Sequence, residues 1–429
     1  MKVHIVSLGC PKNLVDSENI LGELKRRGAK ITFNPQEADA IIINTCGFIE
    51  DAKKESIETI FQAVRLKEQG NCRRLIVTGC LSQRYRQELE QGIPEVDAYF
   101  GARSINDVQR LIAETLGLTH CNGWEHAREV TTAPVYAYLK IAEGCDNRCS
   151  FCAIPLIRGP YQSRPMDEIV TEARRLITMG IQELILVAQD TTYYGQDLGQ
   201  EVELADLVEV LSQIEGVRWL RLLYTYPNRI TDRLIDVIAE HPNVCKYLDV
   251  PIQHISDRIL KRMLRGTNRR EIETIIEKLC QRIPDLAIRT TVMVGFPGES
   301  DSDFQQLYDF VETSRFERLG VFQFSPEEGT PAFDFRPQVP ENVKQERYDA
   351  LMALQQEISW EENQKLVGEK LLVHIDRFDD EKGCFQGRTE WDSPEIDNCV
   401  YVKGEVNEGE FYSVLIQSAT QYELYGIID

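Results

Sequence analysis

Ten strand-like runs recur between Val3 and Ser325, most of them followed by a stretch with helical apolar spacing. Strand–helix alternation of this kind is satisfied by parallel sheets flanked by helices, so the fold class is α/β. Four runs come first: VHIVSLGC (3–10), AIIINTCGF (40–48), RLIVTGC (74–80) and VDAYFG (96–101). Between the first two, ENILGELKRRG (18–28) has helical spacing and ends on Gly28, a C-cap residue type. After the second, Ile57, Ile60, Phe61 and Val64 line one helix face. These elements predict an N-terminal parallel α/β domain over residues 1–117. Residues 118–134 read as a linker in which His120, Cys121 and His126 are incidental polar residues. Six further runs begin at Tyr136, Glu183, Val217, Cys245, Ala287 and Leu319. They predict a partial TIM-type (β/α)6 barrel over 135–360, with functional groups at the carboxyl ends of its strands. From 361 to 429 the pattern changes to KLLVHID, NCVYVKG and FYSVLIQSA separated by turns. That pattern predicts a small β-barrel of OB-like type.

Cysteine placement points to the chemistry. Cys145, Cys149 and Cys152 stand in EGCDNRCSFCAIP at C-x3-C-x2-C spacing, just after the first barrel strand. A four-iron, four-sulfur cluster takes one Cys thiolate per iron, so three thiolates leave one iron open. An open iron can bind a small molecule and pass it an electron. A structural zinc site asks for four closed ligands, often two C-x2-C pairs, and no second pair stands nearby. Cys10, Cys46 and Cys80 each end one of the first three strand-like runs, in the contexts GCP, TCGF and TGCL. Carboxyl ends of parallel strands share one edge, where ligand crevices form. These three therefore predict a second three-cysteine cluster, against the plainer reading of inert buried thiols. Cys72, Cys245, Cys280, Cys384 and Cys399 have no such spacing and read as ordinary thiols. At other strand ends, Gln189 with Asp190, then Asp249, Pro251, Gln253 and His254, then GFPGE (Gly295, Phe296, Pro297, Gly298, Glu299) are candidate ligand contacts. Loop turns and helix caps are the alternative for each.

The formal net charge of −21 argues against a general nucleic-acid binder. The C-terminal 69 residues hold 16 Asp and Glu against 6 Lys and Arg, with the aromatics Phe378, Trp391, Tyr401, Phe411 and Tyr412. OB-like barrels that bind RNA use basic and aromatic surfaces. An acidic one reads either as a docking face for a basic protein or as a solvated appendage. No run of about 18 apolar residues predicts a membrane span. The N-terminus MKVHIVSLGC lacks a secretory pattern. Twelve cysteines without one suit a reducing, cytoplasmic setting.

The chain resembles the methylthiotransferases, a radical S-adenosylmethionine (SAM) family. The resemblance spans the whole sequence. It rests on GCPKNLVDSE, EGCDNRCSFCAIPLIRGPYQSR, AQDTTYYGQD, DVPIQHISDRIL, SPEEGTPA and GRTEWDSPEIDN, runs similar to the branch that methylthiolates an aspartate of small-subunit ribosomal protein S-twelve. The resemblance implies that the C-terminal barrel is a TRAM domain. It implies a radical-SAM 4Fe–4S cluster on Cys145, Cys149 and Cys152. An auxiliary 4Fe–4S cluster that presents or supplies sulfur would sit on Cys10, Cys46 and Cys80. It implies two SAM molecules, one as radical source and one as methyl donor, with SAM contacts expected from Gln189, Gln253, Gly295, Pro297 and Glu299. An electron donor, a sulfur source and a basic ribosomal protein, free or in the subunit, would be its partners. Arg158 and Arg164, just after the cluster loop, are candidates to pair with a substrate carboxylate, surface salt bridges being the alternative. The sister branch, which modifies an adenosine of transfer RNA, is the alternative function. It carries a more basic TRAM domain, so stable transfer-RNA binding is not expected here.

Overall fold

The structure, a computed structural model, describes residues 1–118, 128–133, 135–199 and 202–428. His120, Cys121 and His126 lie outside them. The first sheet is built from β1 (Lys2–Ser7), β2 (Lys30–Ile31), β3 (Ala40–Thr45), β4 (Arg74–Gly79) and β5 (Ala98–Tyr99), ordered β2–β1–β3–β4–β5. All its pairs are parallel. Isoleucine-rich β3 is buried along its whole length, as a central strand covered on both faces requires. The covering helices are α1 (Pro11–Arg26), α2 (Glu50–Gln69), α3 (Cys80–Gly92) and α4 (Ile105–Thr115). Helix α1 starts at Pro11, seven residues before its apolar spacing becomes visible.

The second sheet runs β13–β12–β11–β10–β9–β6, parallel throughout and open between its ends. Its strands are β6 (Tyr136–Lys140), β9 (Glu183–Val187), β10 (Trp219–Leu222), β11 (Val244–Asp249), β12 (Ala287–Val294) and β13 (Arg318–Gln323). A two-stranded ribbon, β7 (Ala142–Glu143) with β8 (Gln162–Ser163), frames the C-x3-C-x2-C loop and α5 (Ile154–Arg158). Helices α6 (Met166–Thr178), α7 (Leu204–Ser212), α8 (Asp232–Glu240), α9 (Asp257–Arg262), α10 (Arg269–Arg282) and α11 (Asp301–Ser314) follow. With α12 (Glu341–Lys365) they make the outer layer, whose apolar residues form the largest core. Helix α12 runs unbroken through residue 360 and leads into a closed antiparallel–parallel barrel, ordered β14–β15–β16–β18–β17. Its strands are β14 (Lys370–Asp379), β15 (Cys384–Arg388), β16 (Cys399–Lys403), β17 (Phe411–Ala419) and β18 (Glu423–Ile428). No helix among the described residues is long and apolar enough to cross a membrane.

The concave face of the half-barrel is filled from outside. Val15 of α1 joins Tyr138, Ile185, Trp219, Cys245 and Tyr247 in one cluster, with Trp391 and Phe411 packed against it. The segment between β15 and β16 lies across the strands as a strap: Asp392 pairs with Arg318 at 2.6 Å, Asp397 accepts from the Tyr247 hydroxyl at 2.7 Å, and the Glu390 carbonyl accepts from Arg221 at 2.6 Å. Glu183, fully buried on β9, holds Arg221 and Arg388 at 2.8 Å each. Burial alone would raise the Glu183 carboxyl; these two guanidiniums hold it well below the carboxylate range.

Candidate functional site

Cys10, Cys46 and Cys80 lie just beyond β1, β3 and β4. Two tight turns put them there. Gly9 has φ +87°, and a Cβ on it would meet the Cys46 Cβ at 2.8 Å. Gly79 has φ +101°, and a Cβ on it would stand 2.4 Å from Asn44 Oδ1. Only glycine turns the chain there, so β1 passes into α1 with Cys10 as N-cap, and β4 passes into α3 with Cys80 as its first residue. Burial pushes Cys80 up to about 11 and raises Cys46 as well. The Arg158 guanidinium, 3.5 Å from the Cys80 sulfur, opposes that rise.

Cys145 and Cys149 are buried on the other side of this junction. The Cys145 amide donates to the Gly159 carbonyl at 3.1 Å, closing the loop on itself. Ser150 pins the loop to α9: its amide donates to the Met263 carbonyl at 2.9 Å and its hydroxyl to the Arg262 carbonyl at 2.8 Å. Asn147 donates to Asp190 at 2.8 Å. Arg265 reaches the Cys149 sulfur at 3.6 Å while donating to the Pro251 carbonyl at 2.6 Å. Burial pushes Cys145 up to about 11 and Cys152 up to about 12, the latter helped by the Cys149 thiol. All eleven cysteines among the described residues are free thiols. No three His, Cys, Asp or Glu side chains among those residues converge as ligands of one metal ion. A four-iron cube asks for something else, one thiolate per iron at separate corners.

One buried ionic network joins the two cysteine sets. Arg158 of α5 is paired with Asp16 of α1 at 2.6 Å, with Glu143 at 3.2 Å and with Asn13 Oδ1 at 2.5 Å. Lys140 at the end of β6 pairs with Asp16 and, at 2.8 Å, with Glu143. Asn13 in turn donates to the Leu8 and Thr45 carbonyls at 2.9 and 3.0 Å, the backbone that carries Cys10 and Cys46. Arg158 is therefore committed inside the protein and is not free for a substrate carboxylate. Arg164 is committed too, to Glu172 and the Lys140 carbonyl, both at 2.7 Å. Asp16, Asn13, Lys140, Glu143 and Arg265 were not singled out from sequence. The available signal was Asn13 and Asp16 three residues apart on one helix face, with Lys140 closing an apolar strand.

The strand-end residues fall into two groups. Gln189 donates to Glu143 at 3.0 Å, and its Oε1 is buried without a hydrogen-bond partner among the described residues. Gln253, at φ +70°, exchanges backbone hydrogen bonds with Thr291 and Met293. Gly295, at φ +73°, turns the chain where a Cβ would strike the Lys344 side chain at 2.3 Å. The Pro297 carbonyl accepts from Arg262 at 3.2 Å. Glu299 faces away into α12: it pairs with Arg347 at 2.8 Å and accepts from the Phe296 amide at 3.1 Å. Phe296 itself meets Phe151 of the cysteine loop edge-on at 6.5 Å. Gln189 thus stands beside the network at the cysteines, whereas Glu299 closes the GFPGE turn.

The second domain edge is tied as well. Glu327 in the loop after β13 pairs with Arg84 at 2.9 Å and Lys53 at 3.1 Å, both from the first domain. In the C-terminal barrel, Phe411 stacks on His374 at 4.2 Å and meets Trp219 at 4.8 Å. Phe411 and Trp391 therefore belong to an internal joint. Tyr401 is buried, while Phe378 is exposed.

Comparison with known proteins gives three family matches along the chain: "Uncharacterized protein family UPF0004" over residues 2–101, the radical SAM superfamily over 139–311 and the TRAM domain over 367–428. The chain is 46% identical to the ribosomal protein uS12 methylthiotransferase RimO of Desulforamulus reducens, over 99% of this chain and 98% of that one. It is 48% identical to the protein of that name from Pelotomaculum thermopropionicum, over 99% of each, and 47% identical to that from Aquifex aeolicus, over 99% and 97%. Among solved structures, the radical SAM methyltransferase TsrM from Kitasatospora setae superposes with TM-score 0.57 at 13% identity, over 77% of this chain and 76% of that one. At that identity the likeness is one of fold.

Proposed function

The chain belongs to the RimO branch of the radical-SAM methylthiotransferases, and from that membership we propose that it inserts a methylthio group at the β-carbon of an aspartate of ribosomal protein uS12. One SAM would serve as radical source and a second as methyl donor. Cys145, Cys149 and Cys152 would hold the radical-SAM 4Fe–4S cluster, and Cys10, Cys46 and Cys80 an auxiliary one. The donor sets suit such clusters: three free thiols each, with an arginine on one sulfur to offset the negative charge of bound thiolates. SAM held at such a cluster would supply one-electron chemistry able to act on a C–H bond too weakly acidic for a general base.

The chain's own residues do the rest. Arg158, Asp16, Glu143 and Lys140 lock the two cysteine sets into one rigid junction. Asn147 and Ser150 hold the C-x3-C-x2-C loop, and the strap and α1 fill the concave face and keep water from it. The observation that carries the reading is Arg158, which touches the Cys80 sulfur and, through Glu143, the stretch leading to Cys145. Electron donor and sulfur source are further expected partners, and basic uS12 suits an acidic enzyme.

Mass spectrometry of uS12 from cells with and without the gene tests this. Gain of about 46 Da, the mass of a methylthio group replacing hydrogen, is expected only with the gene. Cys46→Ala should cleave SAM yet leave uS12 unmodified. A mass change on transfer RNA in place of uS12 would favour the sister activity.

A further inference from the structure

Buried cations in this protein are matched to carboxylates. Lys140 has Asp16 and Glu143, Arg128 has Glu18 and Glu172, Lys344 has Glu341, and Arg347 has Glu299 and Asp301. Lys12 is different. It is 8% exposed, and its ammonium makes no ion pair with any described residue. It lies against Tyr224, 3.3 Å from the ring centroid, and the same tyrosine side chain hydrogen-bonds it. Lys12 sits in the first turn of α1, two residues after Cys10, whereas Tyr224 follows the end of β10 in the half-barrel. The side chain therefore crosses from the first domain to the second at the junction of the two cysteine sets.

Tyr224 is held for this. It adopts φ +61°, a strained conformation for an aromatic residue that persists only where its surroundings impose it. Its amide donates to Asp249 Oδ2 at 2.9 Å, and Arg289 holds the other Asp249 oxygen at 3.1 Å. The Cys10 sulfur and the Asp249 carboxylate favour the ammonium from a distance, but neither forms an ion pair with it. Arg158 and Arg265 lie within hydrogen-bond reach of Cys80 and Cys149, but no hydrogen bond joins Lys12 to the Cys10 sulfur. A desolvated ammonium without a carboxylate in contact is costly. Its cost falls when an anion arrives, and the aromatic face keeps the charge in place until then.

We propose that Lys12, held by Tyr224, binds the side-chain carboxylate of the substrate aspartate and so presents its β-methylene at the junction of the two cysteine triads. This rests on the uS12 reading and adds to it the residue that distinguishes an aspartate from other side chains. Lysine serves here as a compact point charge. The carboxylate stays ionised, and no bond to it forms or breaks.

The test is binding, read by fluorescence anisotropy with the anaerobically reconstituted enzyme. The ligands are uS12 with its acceptor aspartate and uS12 with asparagine in its place. A charge-assisted hydrogen bond contributes about 1.5–3 kcal/mol, so wild type should bind the aspartate form roughly ten- to a hundredfold more tightly. Lys12→Met should bind both forms alike, at the affinity wild type shows for the asparagine form. Lys12→Arg, which keeps the charge, should retain part of the preference, and it carries the test if the methionine variant fails to fold. The inference is overturned if wild type shows no preference, if Lys12→Met keeps it, or if Lys12→Met weakens both forms equally. Wild-type enzyme that binds neither form, and leaves uS12 unmodified, overturns the uS12 reading itself and is told apart in that way.

Discussion

Arg158 touches Asn13, Asp16, Glu143, the Ala102 carbonyl and the Cys80 sulfur. Replacing it by methionine removes one cation and leaves buried Asp16 and half-buried Glu143 sharing Lys140 as their remaining cation. Breaking a buried pair from one side costs about 3–5 kcal/mol, so Arg158→Met should lower the unfolding free energy by that much, read as a lower denaturant midpoint at unchanged slope. It should also lower the iron-to-protein ratio, because Cys80 loses the cation that offsets its burial. The placement of the thiols was legible in the spacing: three on one loop and three at equivalent strand ends are visible without a structure. Arg158 and Arg164 were readable as charges near the loop, but not as spent ones. Their carboxylates lie at sequence distances such as Asp16 to Arg158, and pairing over that distance is set by how domains dock, not by local pattern.

At the scale of elements, α11 shows how a terminus is secured. Ser300 and Asp303 form a reciprocal capping box, and Asp303 also accepts from Ser256 at 2.6 Å and is paired with Arg258. Burial would raise the Asp303 carboxyl; Arg258, Ser256 and Ser300 together hold it well below its usual 3.8. A carboxyl depressed in the folded state stabilises the fold above the unfolded pKa, and that stability is lost as pH falls through and below it. Asp303→Asn should therefore cost about 1–3 kcal/mol at pH 7. The gap between variant and wild type should narrow below pH about 3.8 in urea titrations. Amphipathic elements such as α2 were legible in sequence, although Phe61, expected on its apolar face, is exposed. The first turns of α1 were not, because beside Val15 their buried residues are Lys12, Asn13, Asp16, Ser17 and Glu18. A polar face that points inward has the same spacing signature as a surface.

For the whole molecule, the acidity of the C-terminal barrel divides in two. Asp392 and Asp397 are consumed by Arg318 and Arg289 inside the half-barrel. Asp380, Glu381, Glu405 and Glu410 remain exposed. Reversing those four to lysine should weaken association with a basic protein about tenfold at low ionic strength, mainly through the association rate, with the difference shrinking as salt is added. Surface plasmon resonance at two salt concentrations checks this. Although the break expected after residue 360 falls inside α12, which continues to Lys365, the three-part architecture was legible from alternation and its later loss. The strap was not, since GRTEWDSPEIDN looks like an exposed acidic loop until the arginines that receive it are known. That strap sets an order on biosynthesis. A nascent chain paused before Arg388 already carries both cysteine triads and the Glu183–Arg221 pair, yet Glu183 still lacks its second arginine, Arg388, and Arg318 its carboxylate, Asp392, so the concave face is covered only after residues 388–397 have been made.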